Sequence, residues 1–230
     1  MITIYALQCP DFMKQREYFS LLTRVSAEKQ KQIQRFRQSE DASRALWAAL
    51  LLRALIKERT GLPNHRIRFS KNRYQKPFLT ASTSLHFNLS HSGRWILCAL
   101  DTEPVGADIE IIQEITPGTI ELSLSSQEQK QLKKMSPGDQ LSYFFTLWTW
   151  KESYLKARGT GLNCLPGELV VKSNPDKETG TVFHPYKQKR GFCRSYAVIP
   201  GYKAAVCSFQ NRFPRTVIRK DIQSVIHTLE

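Results

Sequence analysis

The chain has 230 residues, 41% hydrophobic and 10% aromatic, and its 34 Lys and Arg against 20 Asp and Glu give a formal net charge of +14. That is enough for one compact domain or two small halves sharing a core, and too apolar for a disordered polymer. No apolar run approaches the ~20 residues needed to span a bilayer, and the N-terminus Met-Ile-Thr-Ile-Tyr-Ala-Leu lacks the basic start and long apolar stretch of a signal peptide, so a soluble, cytoplasmic protein is expected.

Residues 1–7 read as a first strand, and residues 11–36 as one or two polar helices with Phe19, Leu21, Leu22, Val25, Ile33 and Phe36 as apolar positions. The strongest helix signal covers residues 40–59. Ser39, Glu40 and Asp41 give it an acidic start, Leu46-Trp47 and Leu50 to Leu52 a buried stripe, and Gly61-Leu-Pro an end. Arg44 lies on it, close to the apolar face. Short strands follow at 67–70, 87–90 and 95–100. Next come a strand from Val105, a polar helix over 126–134 broken by Ser136-Pro-Gly, and a helix over 141–158 that ends at Gly159, suited to a left-handed cap. Strands recur near 168–172, 193–199 and 203–209.

The segments Gly93-Arg-Trp-Ile-Leu-Cys-Ala-Leu and Gly201-Tyr-Lys-Ala-Ala-Val-Cys-Ser-Phe each follow a long helix at a similar interval and share a glycine-led, cysteine-bearing shape. They suggest a weak internal duplication, hence an α+β fold of two similar halves, residues 1–103 and 104–230. The tail beyond Asn211 is basic and expected to pack loosely.

The five cysteines (Cys9, Cys98, Cys164, Cys193, Cys207) are odd in number, widely spaced and form no Cys-x-x-Cys pair. This argues against a disulfide framework and against structural zinc. His86 and His91, five apart, share no helix or strand face. Cys98 and Cys207 sit in apolar runs and suit core packing.

The charge is uneven. No acidic residue occurs between Arg59 and Asp101, while Arg66, Arg68, Lys71, Arg73, Lys76 and Arg94 fall in that interval. Either the surface is generally basic, or the partner is an anion: nucleic acid, a phosphorylated small molecule or an acidic protein. A nucleic-acid module would interleave aromatics with basic residues on an open face or present a reading helix, and neither is evident.

Two segments carry the most chemistry. In the strand Val105-Gly-Ala-Asp-Ile-Glu110, Asp108 and Glu110 are two apart and point the same way. They read as an exposed acidic edge or, given apolar Val105, Ile109, Ile111 and Ile112, as a pair that needs a cation. In Trp148-Thr-Trp-Lys-Glu-Ser-Tyr-Leu-Lys156, residues Trp148, Glu152 and Lys156 follow at four-residue steps along one helix face. Glu152 and Lys156 read as a surface ion pair or, on so apolar a helix, as functional charges. If the two faces meet, three carboxylates and a lysine share a site suited to a hard divalent metal and a phosphate chain. Phe87-Asn-Leu-Ser-His-Ser-Gly93 reads as a strand end running into a polar turn. There Ser90, Ser92, Gly93 and His91 either satisfy the backbone or present donors to an anion. Lys76-Pro77-Phe78 is a connecting loop or an extended lysine beside a stacking ring.

In order and spacing, Lys-Pro-Phe, Phe-Asn-Leu-Ser-His-Ser-Gly, Val-Gly-Ala-Asp-Ile-Glu and Trp-Thr-Trp-Lys-Glu-Ser-Tyr-Leu-Lys resemble the 4′-phosphopantetheinyl transferases, more narrowly the surfactin-synthetase-activating type built as a pseudo-dimer of two α+β halves. The resemblance implies transfer of the phosphopantetheine arm of coenzyme A, the co-substrate, to a serine of an apo peptidyl or acyl carrier protein. Adenosine 3′,5′-bisphosphate would be the other product. It implies Mg²⁺, or Mn²⁺ in its place, on Asp108, Glu110 and Glu152. The serine-activating base is either Glu152 or metal-bound water. Lys156 corresponds to the lysine that neutralises the pyrophosphate and Lys151 to its neighbour at the site. Ser90 and His91 correspond to residues on the 3′-phosphate side of coenzyme A, Arg44 and Lys76 to further phosphate contacts, and Lys29 to a residue near the nucleotide. Relatives often carry another lysine where Gln32 stands, with Lys31 as a substitute here, and a bulkier aliphatic where Ala107 stands. The type serves carrier activation of the kind used in nonribosomal peptide antibiotic synthesis. A monomer is expected, docking acidic carriers on residues 112–134, with neither nucleic acid nor membrane as a partner.

Overall fold

A computed structural model of the protein describes residues 1–11, 13–81, 84–161, 164–173 and 178–230. The first half contains β1 (Thr3–Gln8), α1 (Gln15–Leu22), α2 (Ala27–Ile33), α3 (Ser39–Thr60), the hairpin β2 (Phe69–Lys71) and β3 (Pro77–Leu79), then β4 (His86–Ser92) and β5 (Trp95–Asp101). The second contains β6 (Val105–Ile111), α4 (Pro117–Ser123), α5 (Ser126–Leu132), α6 (Pro137–Arg158), β7 (Val170–Ser173), β8 (Thr179–His184), β9 (Lys187–Ser195) and β10 (Tyr202–Ser208). The chain closes with β11 (Ile218–Lys220) and α7 (Ile222–Leu229).

The duplication is topological. One sheet runs β11-β1-β5-β4 and the other β6-β10-β9-β8-β7. In both, the first strand of the half pairs antiparallel with its last, which pairs antiparallel with the one before it. Each half carries one 22-residue helix, α3 or α6, ended by a glycine in the left-handed region, Gly61 (φ 72°) or Gly159 (φ 64°). A side chain is disfavoured there, so glycine stops both helices cleanly. Pro137 in the first turn of α6 supplies the matching start.

Strand alternation sorts the core into layers. Cys98 and Leu100 of β5 face α3, whereas Leu97 and Ala99 meet Val105, Ala107 and Ile109 of β6 and Ala204 and Val206 of β10 between the two sheets. On the far side of the second sheet, Ala205 and Cys207 pack under Trp150, Tyr154 and Leu155 of α6. All five cysteines are buried thiols. Among the described residues no helix is long and apolar enough to cross a membrane.

The tail does not pack loosely. β11 pairs parallel with β1, from Tyr5 opposite Ile218 to Leu7 opposite Lys220, and Val225 and Leu229 of α7 join the α3 core. The Ile222, Val225, Leu229 spacing is an amphipathic helical stripe, which the basic composition of the segment obscures. β3, α4 and β8 are likewise absent from the sequence reading.

Candidate active site

The site forms where β4, β6 and α6 meet. On β6, the face opposite the inter-sheet core carries Gly106, Asp108 and Glu110 and lies against α6. A Cβ on Gly106 would sit 1.9 Å from the Ser153 carbonyl oxygen and 2.4 Å from Ala157 N, so the backbones of strand and helix touch here. That approach brings Glu152 and Lys156 over the carboxylates. The Lys156 ammonium donates to Asp108 Oδ1 at 2.5 Å and to Ser90 Oγ at 3.0 Å, and Ser90 Oγ itself donates to Asp108 Oδ1 at 2.8 Å. Lys156 thus forms its ion pair with Asp108 across the interface rather than with Glu152 along the helix.

β4 faces β6 with alternate side chains. Ser92 Oγ donates to Glu110 Oε2 at 2.8 Å and accepts from Ile111 N at 3.1 Å, and Asn88 Oδ1 accepts from Ala107 N at 2.8 Å. β6 is an edge strand of its sheet, and these side chains, with Asp108 accepting from its neighbour Ile109, satisfy N–H groups that a missing strand would otherwise take. Ser90 and Ser92 therefore belong to the strand and hold the carboxylates, and Ser92 also satisfies the backbone, one of the two roles the sequence leaves open for it.

Burial raises the pKa of Asp108 above the ordinary carboxylate value, opposed by Lys156 and Ser90. Burial and then the charge of Asp108 raise Glu110, which Ser92, Lys156 and a hydrogen bond to Trp148 oppose. Glu152 is raised by burial, by Asp108 and by Glu110, with Lys156 opposing. Three mutually repelling carboxylates around one ammonium favour a further cation. The donor set fits a hard divalent ion, because Asp108 Oδ2 is buried with no hydrogen-bond partner and is an oxygen ligand in waiting.

Comparison with known proteins gives the arrangement its context. The family model described as "4'-phosphopantetheinyl transferase, N-terminal" matches residues 13–103, and that described as "4'-phosphopantetheinyl transferase superfamily" matches residues 104–207. The 4'-phosphopantetheinyl transferase ffp of Bacillus subtilis is 36% identical over 214 residues, covering 93% of this chain and 95% of the relative. The Sfp enzyme of Bacillus subtilis is 34% identical over the same shares, and gsp of Aneurinibacillus migulanus 35% identical over 90% of this chain and 86% of its own. The chain belongs to the 4′-phosphopantetheinyl transferases.

Around this candidate site stands a group of cations. His91 is held below its ordinary pKa by burial, then by Arg44, Lys156 and Lys29, so these three cations lie within electrostatic reach of His91. Lys29 is lowered by burial and by Lys71, from the acid-free interval, and donates to Gln32 Oε1 at 3.1 Å. Arg44 bonds the Gly93 carbonyl at 2.5 Å and pairs with Asp41. Cations this close repel unless an anion lies among them.

Two expected residues are placed differently. Lys151 is fully buried and turned to the other side of α6, donating to Ser123 O at 2.9 Å and to Glu128 Oε2 at 2.5 Å. One residue is about 100° around a helix, so a neighbour of Glu152 in sequence need not share its face. Lys76 donates to the carbonyls of Lys156 (2.6 Å), Val105 and Ala157 (both 3.3 Å), which ties the β2–β3 hairpin to the C-terminal end of α6. Burial brings its pKa down to about 8. Conversely, Asn88 completes the site without a signal of its own, while Ser92 bonds a carboxylate and Trp148 reaches Glu110 from the helix face it shares with Glu152. The polar alternation Asn88, Ser90, Ser92 against apolar Phe87 and Leu89 is the signal that marks this strand face.

Proposed function

We propose that the protein transfers the 4′-phosphopantetheine arm of coenzyme A to a serine of an apo peptidyl, acyl or aryl carrier protein, releasing adenosine 3′,5′-bisphosphate, with Mg²⁺ (or Mn²⁺ in its place), as a monomer in the cytoplasm. The observation that carries this reading is the ion pair of Lys156 with Asp108, with Glu110 and Glu152 in electrostatic reach of both and Asp108 Oδ2 unpartnered, beside His91 and its cationic neighbours Arg44 and Lys29. Residues 1–103 then contribute the phosphate contacts and residues 104–230 the metal ligands.

In this reading Asp108, Glu110 and Glu152 hold the metal, which when bound neutralises charge on the pyrophosphate of coenzyme A. Lys156 faces the same oxygens, and His91 with its cationic neighbours takes the 3′-phosphate side. The carrier serine oxygen bonds to the phosphorus bearing the pantetheine arm, and the bond from that phosphorus to the nucleotide phosphate breaks. A carboxylate of raised pKa such as Glu152 suits acceptance of the hydroxyl proton. Positioning and charge neutralisation supply most of the barrier reduction.

Carriers of this class are acidic helical bundles, and a net charge of +14 steers them toward the enzyme. Residues 112–134, spanning α4 and α5, are the proposed docking surface, where Leu122 is 63% exposed. Intact-mass analysis of apo peptidyl and apo acyl carriers incubated with coenzyme A and Mg²⁺ tests the assignment. A gain of one phosphopantetheine that Glu152→Gln abolishes is expected. No gain with any of several carriers, or full transfer by Glu152→Gln, refutes it.

A further inference from the structure

On the opposite side of α6 from the carboxylates, three side chains of different chemistry converge. Cys164, Glu168 and His184 each bring one ligand atom within 4.8 Å of the others. Cys164 precedes and Glu168 closes the single 3₁₀ turn Pro166–Glu168, and His184 is the last residue of β8. Cys164 is buried, His184 half-buried and Glu168 exposed, so the cluster reaches solvent at Glu168. Glu168 Oε2 accepts from Leu165 N at 3.0 Å, His184 Nδ1 accepts from Tyr186 N at 3.2 Å, and Cys164 Sγ donates to Leu165 O at 3.6 Å. The imidazole nitrogen is thus placed as an acceptor, the role a metal ligand also takes.

We propose that Cys164, Glu168 and His184 form a second cation site, for a borderline-soft divalent ion of the Zn²⁺ type, with its fourth position open to water. A sulfur, a nitrogen and a carboxylate oxygen are the ligand types Zn²⁺ takes in tetrahedral sites. A thiolate in the set selects against Mg²⁺, so the site is chemically distinct from the all-oxygen group at Asp108. Binding exchanges the thiol proton, released to solvent, for the metal–sulfur bond and involves no redox step. His184 exchanges its long contact with Tyr186 N for ligation.

The sequence argues against zinc because Cys-x-x-Cys spacing is missing. Here the ligands are assembled by tertiary structure: a turn supplies two and the end of a hairpin strand the third. The site ties the loop after α6 to the β8–β9 turn. That loop presents Leu165, 52% exposed, and packs so closely on α4 that a Cβ on Gly167 would sit 2.9 Å from the Leu122 carbonyl. A bound ion therefore fixes the edge of the second half next to residues 112–134. None of this depends on the transferase reading.

Co²⁺ titration of the metal-free full-length protein, followed by absorption, is the test. The expected result is a thiolate-to-Co²⁺ charge-transfer band in the near ultraviolet, saturating at one equivalent, bleached by Zn²⁺ and unaffected by excess Mg²⁺. Binding of Co²⁺ at the carboxylate site gives no such band. Cys164→Ser removes the band, and His184→Gln and Glu168→Gln, which leave the buried thiol in place, each weaken binding at least about tenfold. Absence of the band in the wild-type protein, its persistence in Cys164→Ser, or unchanged affinity in both other variants overturns the proposal.

Discussion

Gly106→Ala is a single-methyl probe of how the site is held together. The new Cβ would lie 1.9 Å from the Ser153 carbonyl oxygen, and backbone atoms cannot yield as a side-chain tip does. Reaching even 3.0 Å requires β6 and α6 to part by about 1.1 Å, directly beneath the 2.5 Å contact between Lys156 and Asp108. Overpacking of this kind costs about 1–3 kcal/mol, and at this chain length each kcal/mol lowers the melting temperature by about 2–4 °C. The catalytic loss is expected to be larger, since a misplacement of about 1 Å costs on the order of 10²-fold. The assay is kcat/KM for carrier modification, measured well below the melting temperature, alongside a thermal melt. Gly138→Ala, in the first turn of the same helix with nothing within 4 Å of the added methyl, serves as the control and is expected to be neutral or slightly stabilising. Wild-type turnover and melting in Gly106→Ala would mean that the close approach of strand and helix does not set the site geometry.

The remaining predictions use the charges. Asp108, Glu110 and Glu152 have pKa values raised above the ordinary 3.8 and 4.5, so the folded state binds their protons more tightly than the unfolded chain; the stability they contribute falls as pH rises through the raised values. Glu110→Gln in EDTA at pH 8 is therefore expected to melt above the wild type and to lose most of the wild-type gain on adding Mg²⁺, and an unchanged Mg²⁺ response in calorimetry contradicts the assignment. Lys151→Ala strands Glu128 in a buried setting and is expected to cost about 3–5 kcal/mol in denaturant melts. Its turnover in the cold should stay within about threefold of wild type, and a selective loss of turnover would return Lys151 to the chemistry. Lys156→Ala should do the reverse, lowering kcat on the order of 10²-fold, while Asp108 keeps its bond from Ser90 and the melting temperature falls less than in Lys151→Ala; normal turnover with a large fall in melting temperature refutes its role.

What could be read along the chain was what depends on local period and punctuation. The two long helices announce themselves by their apolar stripes and glycine ends, although Ser136-Pro-Gly, which reads as a break before a helix from Leu141, is in fact where α6 begins. The same-face pairing of Asp108 with Glu110, and of Glu152 with Lys156, follows from strand and helix geometry alone. Contacts made across the fold were not legible. Lys151 and Lys76 look like site lysines in sequence, yet their ammonium groups are committed to Glu128 and to carbonyls at the end of α6, partners 23 and 80 residues away. Asp108 Oδ2 is left unpartnered where β4 offers side chains to the edge of β6, because Ser90 and Lys156 both bond Oδ1. That juxtaposition of two sheets has no periodic signature.

The return of β11 and α7 to the first half bears on synthesis. β1 is made well before its parallel neighbour and the cover over α3, which are translated after strands β6 to β10 of the second half. Folding during elongation proceeds from the N-terminus, so the first half must wait with one strand edge open and part of α3 uncovered until residue 229 emerges. A chain stalled before residue 218 would hold that same unfinished edge, which makes residues 218–229 a guard against strand-to-strand aggregation as well as a part of the fold.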